Sequence, residues 1–153
     1  MNNRLAFWSA AFLLPMLLIV GRPTMAADSA AKVHRVAMQV DSDDPATMNL
    51  TLNNVNNIVR HYDAKGEPVE IEVVTYGPGL HMLRADTSPI KERIKAIAES
   101  MPNVSFIACA NTRAGMQKAE GKEIPLLPEA HVVPSGVVHL MARQEEGWSY
   151  IRP

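Results

Sequence analysis

The sequence predicts a doubly wound α/β fold, with a mainly parallel five-stranded sheet and helices on both faces. The first observation is that strand-like segments alternate with segments of helical periodicity from residue 33 onward. The second is the spacing of these units, about 25–35 residues, which suits crossover connections between parallel strands. The third is that no internal repeat or low-complexity segment interrupts the pattern.

The composition excludes several classes of protein. The chain has 153 residues, with 15 Lys and Arg against 16 Asp and Glu and a formal charge of -1. It therefore has no basic footprint for nucleic acid. Its one cysteine, Cys109, excludes an intrachain disulfide, a cysteine-rich zinc site and a C-x-x-C redox pair.

Residues 1–26 have the features of a secretory signal peptide. A short positively charged start precedes an uncharged apolar run over residues 5–21, and Thr24 and Ala26 suit the small-residue positions of a cleavage site. The alternative is an uncleaved anchor, but the run is shorter than the ~20 residues of a membrane span. We therefore expect export to the periplasm, no membrane association after cleavage, and a single domain over residues 27–153.

The first predicted strand, residues 33–40, is rich in strand formers. Ser42 or Asp44 then suits the cap of a helix over residues 46–62, with Pro45 at its first position. The apolar residues of this helix recur at helical spacing: Leu52, Val55, Ile58, Val59 and Tyr62. Asparagine is a poor helix former, yet this helix contains five: Asn49, Asn53, Asn54, Asn56 and Asn57. They form either a solvated polar face or the lining of a site or interface.

The second predicted strand, residues 69–76, alternates at first and then becomes continuously apolar. That pattern is typical of a parallel strand whose far end is buried on both faces. The Gly-Pro-Gly at residues 77–79 ends the strand and predicts a loop whose backbone can approach a ligand closely. The next helix is predicted over residues 88–101, with Thr87 or Ser88 as its cap.

The third predicted strand, residues 104–110, is short and nearly all apolar. Asn111 or Thr112 offers a cap for a short helix that ends at about Ala119. The rest of the chain predicts a short strand, a one-sided helix and a closing strand, over residues 131–134, 137–145 and 148–151.

The predicted topology makes Cys109 the candidate catalytic residue. In open parallel sheets the functional crevice lies beyond the carboxyl ends of the strands. Cys109 lies at such an end, beside a helix start whose free N–H groups and partial positive charge favour a thiolate. Arg113, one turn into that helix, adds positive charge. The alternative is a buried core cysteine that acts as a small apolar residue.

The same topology predicts binding residues around Cys109. His81, in the loop after the second strand, is the candidate base. The other predicted crevice residues come from the loops after the second and third strands: Tyr76, Gly77, Asn111, Thr112 and Arg113. Because the sequence has no nucleotide-binding glycine loop, serine nucleophile elbow or metal-binding histidine pair, we expect no cofactor and no metal.

Four segments carry a family resemblance. They read V-x-x-Y-G-P-G-L at residues 73–80, F-I-A-C-A-N-T-R-A-G at 106–115, V-P-S-G-V at 133–137 and Q-x-x-G-W-x-Y-I at 144–151. Together they resemble the DsrE/DsrF-like sulfur-relay family, most closely its exported single-domain branch. The resemblance implies a small α/β domain that assembles into a homo-oligomer, often a trimer or hexamer, and a persulfide on Cys109.

Two functions remain open at this point. In the first, the protein is a sulfur carrier or sulfurtransferase, and Cys109 takes sulfur from a small-molecule or protein donor and passes it to an acceptor thiol. In the second, it is a non-catalytic periplasmic subunit for small-ligand binding or assembly, and Cys109 is structural. The accessibility of the Cys109 thiol in the native protein discriminates between them.

Overall fold

A computed structural model describes residues 32–153 of the chain. The predicted signal peptide, residues 1–26, lies outside the described residues. Strands and helices alternate along the described chain as β1 (His34–Val40), α1 (Pro45–Asp63), β2 (Val69–Thr75), a 3-10 helix (Gly77–Leu83), α2 (Lys91–Ser100), β3 (Val104–Cys109), α3 (Ala110–Glu120), β4 (Ala130–Val133), α4 (Gly136–Glu145) and β5 (Ser149–Ile151). Each predicted strand agrees with an observed one to within one residue at either end.

The five strands form one all-parallel sheet in the order β4-β3-β2-β1-β5. The chain moves one position at a time from β1 to β4 and then crosses back to β5 on the other edge. Because such crossovers are right-handed, the first three helices share one face of the sheet and α4 lies on the other. The predicted α/β fold with helices on both faces is therefore confirmed.

The two faces of the sheet carry hydrophobic cores of unequal size. The core beneath α1 to α3 contains twenty buried residues, including Phe106 from the sheet and the predicted stripe residues Leu52, Val55 and Val59. The core beneath α4 contains four buried residues: Ala37, Val74, Ile107 and Leu140. Apolar burial therefore holds α4 to the sheet much less strongly than it holds the helices on the opposite face.

Some polar residues of α1 contact α2, and others stabilise α1 itself. Asp44 caps the helix by accepting hydrogen bonds from the backbone N–H groups of the first turn, at 3.0 and 3.2 Å. Asn49 and Asn53 accept hydrogen bonds from the guanidinium of Arg93 in α2. The Asn56 amide donates to a carbonyl of its own helix at 3.0 Å. Two of the five asparagines thus join α1 to α2.

The segment after β2 is a 3-10 helix and not the predicted loop. The backbone of Gly79 packs on the end of β1, and a Cβ at this position would overlap the Val40 carbonyl. The close backbone approach that the sequence suggested is therefore an approach to β1 within the protein.

The predicted start of α2 is wrong by three residues. The helix begins at Lys91, and Ile90 occupies its N-cap position without a side-chain hydrogen bond. Ser88 is buried, and its hydroxyl donates to the Met82 carbonyl at 2.7 Å. Because this hydroxyl ties the end of the 3-10 helix to the following turn, Ser88 does not act as the cap of α2.

Arg84 forms a buried ionic cluster between the 3-10 helix and α3. The residue is 1% exposed. Its guanidinium donates to both carboxylate oxygens of Asp86, at 2.9 and 2.8 Å, and pairs in the same bidentate way with Glu120 at the end of α3. Lys122 also contacts both carboxylates. The hydrogen bonds from Arg84 lower the pKa of Asp86 and that of Glu120.

We expect Arg84→Ala to lower the free energy of unfolding by roughly 2–3 kcal/mol at neutral pH, because it leaves a cavity and removes the shared partner of two carboxylates. Since both carboxyl pKa values are lowered by folding, their stabilisation is present above the unfolded values near about 4 and is lost as the pH falls. Denaturant unfolding across acidic pH should therefore give a flatter stability curve for Arg84→Ala than for the unmodified protein. Arg35→Ala, which breaks an exposed pair with Glu70, is the control, and an equal loss in both variants would contradict this account.

Candidate functional site

Cys109 is both the last residue of β3 and the N-cap of α3. Its backbone is extended, and its Sγ accepts a hydrogen bond from the Thr112 backbone N–H at 3.4 Å. The predicted cap at Asn111 or Thr112 is therefore wrong, because both residues lie inside α3. The correction places the sulfur directly on the helix N-terminus, where unpaired N–H groups favour an anion.

A second helix begins against the same cysteine. Gly136, the first residue of α4, packs so closely that a Cβ there would lie 3.4 Å from Cys109 Cβ and 3.2 Å from Tyr76 Cβ. Cys109 is 4% exposed beneath this contact. The N-termini of α3 and α4 therefore converge on one buried sulfur atom from the two faces of the sheet.

Burial and hydrogen bonding act in opposite directions on the Cys109 thiol. Burial raises the pKa of the thiol, whereas the Thr112 side chain and the backbone N–H groups of Gly136, Thr112 and Asn111 lower it. The net pKa lies below the ordinary value for cysteine. Since the thiolate is the nucleophilic form of cysteine, the site favours reactivity at the sulfur.

The Thr112 hydroxyl links this sulfur to the first residue of the 3-10 helix after β2. Its oxygen accepts a hydrogen bond from the Gly77 backbone N–H at 2.9 Å, which leaves the hydroxyl proton free to be donated to Cys109. Gly77 has φ +51, in the left-handed region that favours glycine. Three predicted site residues, Gly77, Cys109 and Thr112, are therefore joined in one hydrogen-bonded chain.

Tyr76 forms one wall of the site. Its Cβ and Cδ1 atoms lie beside Gly136, the residue that packs on Cys109. Burial, together with the charge of Asp41 and the neighbouring Tyr150, raises the pKa of the Tyr76 hydroxyl, although Arg152 opposes the effect. The phenol is therefore protonated at neutral pH.

Three other predicted residues face away from the sulfur or act through the backbone alone. The Arg113 guanidinium donates to the Ile124 carbonyl at 2.8 Å and pairs with Glu123, so its charge serves the segment after α3. The His81 ring is hydrogen-bonded to Thr87 at 3.0 Å. The exposed Asn111 contributes its N–H to the site, and that N–H also donates to the Pro134 carbonyl at 3.2 Å. Neither His81 nor the Arg113 side chain is among the groups that affect the Cys109 pKa.

Comparison with known proteins assigns the family. The model of the DsrE/DsrF-like family matches residues 34–153. The chain belongs to the DsrE/DsrF-like family. Among solved structures it is similar to MTH1491 of Methanobacterium thermoautotrophicum, described as a protein of unknown function, with 39% identity and a TM-score of 0.66. That match covers 78% of this chain and 99% of the other. No curated protein matches the chain.

Two residues at the contact between the sheet and α4 of this DsrE/DsrF-like protein escape prediction from the sequence. Gly136 was noted only as part of a family-like segment, although a glycine directly after a serine cap signals a tightly packed helix start. Glu72, on the sheet, was assigned to an alternating strand, yet it is 9% exposed and binds Arg143 of α4. Nothing local in the sequence distinguishes it from the exposed Glu70.

Within residues 32–153, no three His, Cys, Asp or Glu side chains are grouped so that they could hold a metal ion. No helix in the same range is long and apolar enough to cross a membrane.

We expect Thr112→Val to raise the pKa of the Cys109 thiol, because it removes the hydroxyl hydrogen bond to the thiolate and keeps the side-chain shape. Alkylation of the folded protein by iodoacetamide should slow by roughly three- to tenfold at neutral pH, the factor expected for one such hydrogen bond. Thr112→Ser retains the hydroxyl and is the matched control. If Thr112→Val reacts like Thr112→Ser at every pH, the hydroxyl does not set the reactivity of the thiol.

Proposed function

We propose that this protein is a periplasmic sulfur carrier that forms a persulfide on Cys109. The observation that carries the proposal is the convergence of two helix N-termini on Sγ, which lowers the pKa of the thiol despite its burial. Membership of the DsrE/DsrF-like family, which is associated with sulfur relay, supports the same chemistry.

The transfer requires no oxidant. The Cys109 thiolate attacks a sulfane sulfur of a polysulfide and forms a new S–S bond, while the donor S–S bond breaks and its electron pair leaves on the donor sulfur. The N–H groups of Gly136 and Thr112, which lower the pKa of the Cys109 thiol, would also stabilise the persulfide anion on Cys109. An acceptor thiolate then attacks the outer sulfur and releases Cys109 as a thiolate.

Access to the sulfur is the demanding part of this reaction. Cys109 is 4% exposed and Gly136 packs on it, so a donor reaches Sγ only when this contact opens. The same burial favours the second candidate function, a non-catalytic periplasmic subunit for ligand binding or assembly in which Cys109 is structural. The reactivity of the native thiol separates the two.

The proposal includes export and self-association. Residues 1–26 carry the pattern of a signal peptide, which supports a periplasmic location. On α4, three neighbouring apolar side chains are exposed: Val137, Val138 and Met141. They support a homo-oligomer, a trimer or hexamer as in the sulfur-relay relatives, because exposed apolar patches mark contact surfaces.

Incubation with inorganic polysulfide, followed by intact mass spectrometry, tests the proposal. We expect a gain of about 32 Da, one sulfur atom, on the folded protein and its reversal by a small thiol. Cys109→Ser should gain nothing, since Cys109 is the one cysteine of the chain.

Two results would count against sulfur transfer. One is the absence of the adduct on the native protein. The other is an equal adduct on Cys109→Ser. If, in addition, Cys109 reacts with a thiol reagent only after denaturation, the structural interpretation of the cysteine holds.

A further inference from the structure

Glu72 is the one acidic residue among the buried residues of the described chain. It lies in the middle of β2, on the face of the sheet that α4 covers. Burial raises the pKa of its carboxyl, whereas Arg143 and His139 lower it through their hydrogen bonds and charges. The lowering is larger in sum, so the net pKa is below the ordinary value. A charged carboxylate therefore lies under α4 at neutral pH.

Both partners of this carboxylate come from α4. The Arg143 guanidinium donates from Nε at 2.9 Å and from Nη2 at 2.8 Å, one to each carboxylate oxygen. His139 Nε2 lies 2.6 Å from Oε2. Glu146 also pairs with Arg143, and the Trp148 ring lies 4.8 Å from its guanidinium carbon. We call Glu72, His139 and Arg143 the α4 clamp.

The clamp and the site share one helix face. His139 and Arg143 are four residues apart, and Gly136 and Leu140 form the neighbouring stripe at the same spacing, so all four face the sheet. Of the ten residues of α4, the buried ones are Gly136, against Cys109, and Leu140. With so little apolar burial, the bidentate ion pair supplies a large share of the attachment of α4.

We propose that Glu72 is a positioning residue for Cys109. Glu72 acts through the α4 clamp, which holds Gly136 against Cys109 and keeps the sulfur covered. The clamp fixes the helix at its middle and last turn, and the first turn is thereby held on the cysteine. The proposal deepens the proposed function, because it rests on Cys109 being the reactive group.

The test compares Glu72→Gln with Glu70→Gln. The two glutamates share β2 and the same face, but Glu70 pairs with exposed Arg35 and makes no hydrogen bond to α4. The pH profile of iodoacetamide alkylation gives a midpoint, which reports the thiol pKa, and a plateau rate at high pH, which reports access. Circular dichroism confirms that each variant is folded.

We expect Glu72→Gln to shift the midpoint to higher pH, because the loosened helix start no longer donates to the thiolate. The plateau rate should rise by about threefold or more, because the sulfur is uncovered in local openings. Glu70→Gln should match the unmodified protein in both quantities. A midpoint for Glu72→Gln equal to that of Glu70→Gln would overturn the proposal, whatever the plateau.

A second variant, His139→Gln, tests the proposal if Glu72→Gln does not fold. It removes one clamp partner and leaves the Arg143 ion pair, and an unchanged midpoint there overturns the proposal. Polysulfide labelling is measured on the same samples. If the alkylation midpoint shifts as expected but the unmodified protein forms no persulfide, sulfur transfer is rejected and the positioning role is retained. If the unmodified protein forms a persulfide but the midpoint does not shift, the positioning role is rejected and sulfur transfer is retained.

Discussion

The arrangement at Cys109 depends on the parallel direction of the sheet. Every strand of a parallel sheet ends at the same edge, and the helix that follows each strand begins there. Because β3 and β4 are neighbours, α3 and α4 begin next to each other. The order of the strands places these two helices on opposite faces, so their first turns approach the end of β3 from both sides. Cys109 occupies that end, its sulfur accepts a hydrogen bond from α3, and N–H groups of both helices lower the pKa of its thiol.

The helices on the two faces of the sheet are held by different interactions. Three helices bury a large apolar core on one face, and the ionic cluster around Arg84 joins the 3-10 helix to the end of α3. The other face has one helix, a small apolar cluster and a buried carboxylate. A bidentate ion pair fixes the direction and register of the helix that it holds. The proposed role of Glu72 follows from this difference, because α4 has little apolar burial to hold its first turn on Cys109.

The sequence predicts the fold well and the site in part, for a physical reason. Buried parallel strands appear as apolar runs, so strand positions and the place of Cys109 follow from local patterns and topology. The cap of α3 was mispredicted because Asn111 and Thr112 have the better intrinsic preference, while the sulfur of Cys109 occupies the position that the turn requires. Likewise, Glu70 and Glu72 are equivalent in the strand pattern and differ only because α4 covers one of them.

The most direct test of the account is the pKa of the Cys109 thiol in the native protein. It can be measured from the ultraviolet absorbance of the thiolate during a pH titration, with Cys109→Ser as the blank. The account predicts a midpoint clearly below the value of free cysteine, roughly 8.5. A midpoint at or above that value would contradict it, because burial would then outweigh the N–H groups of the two helices.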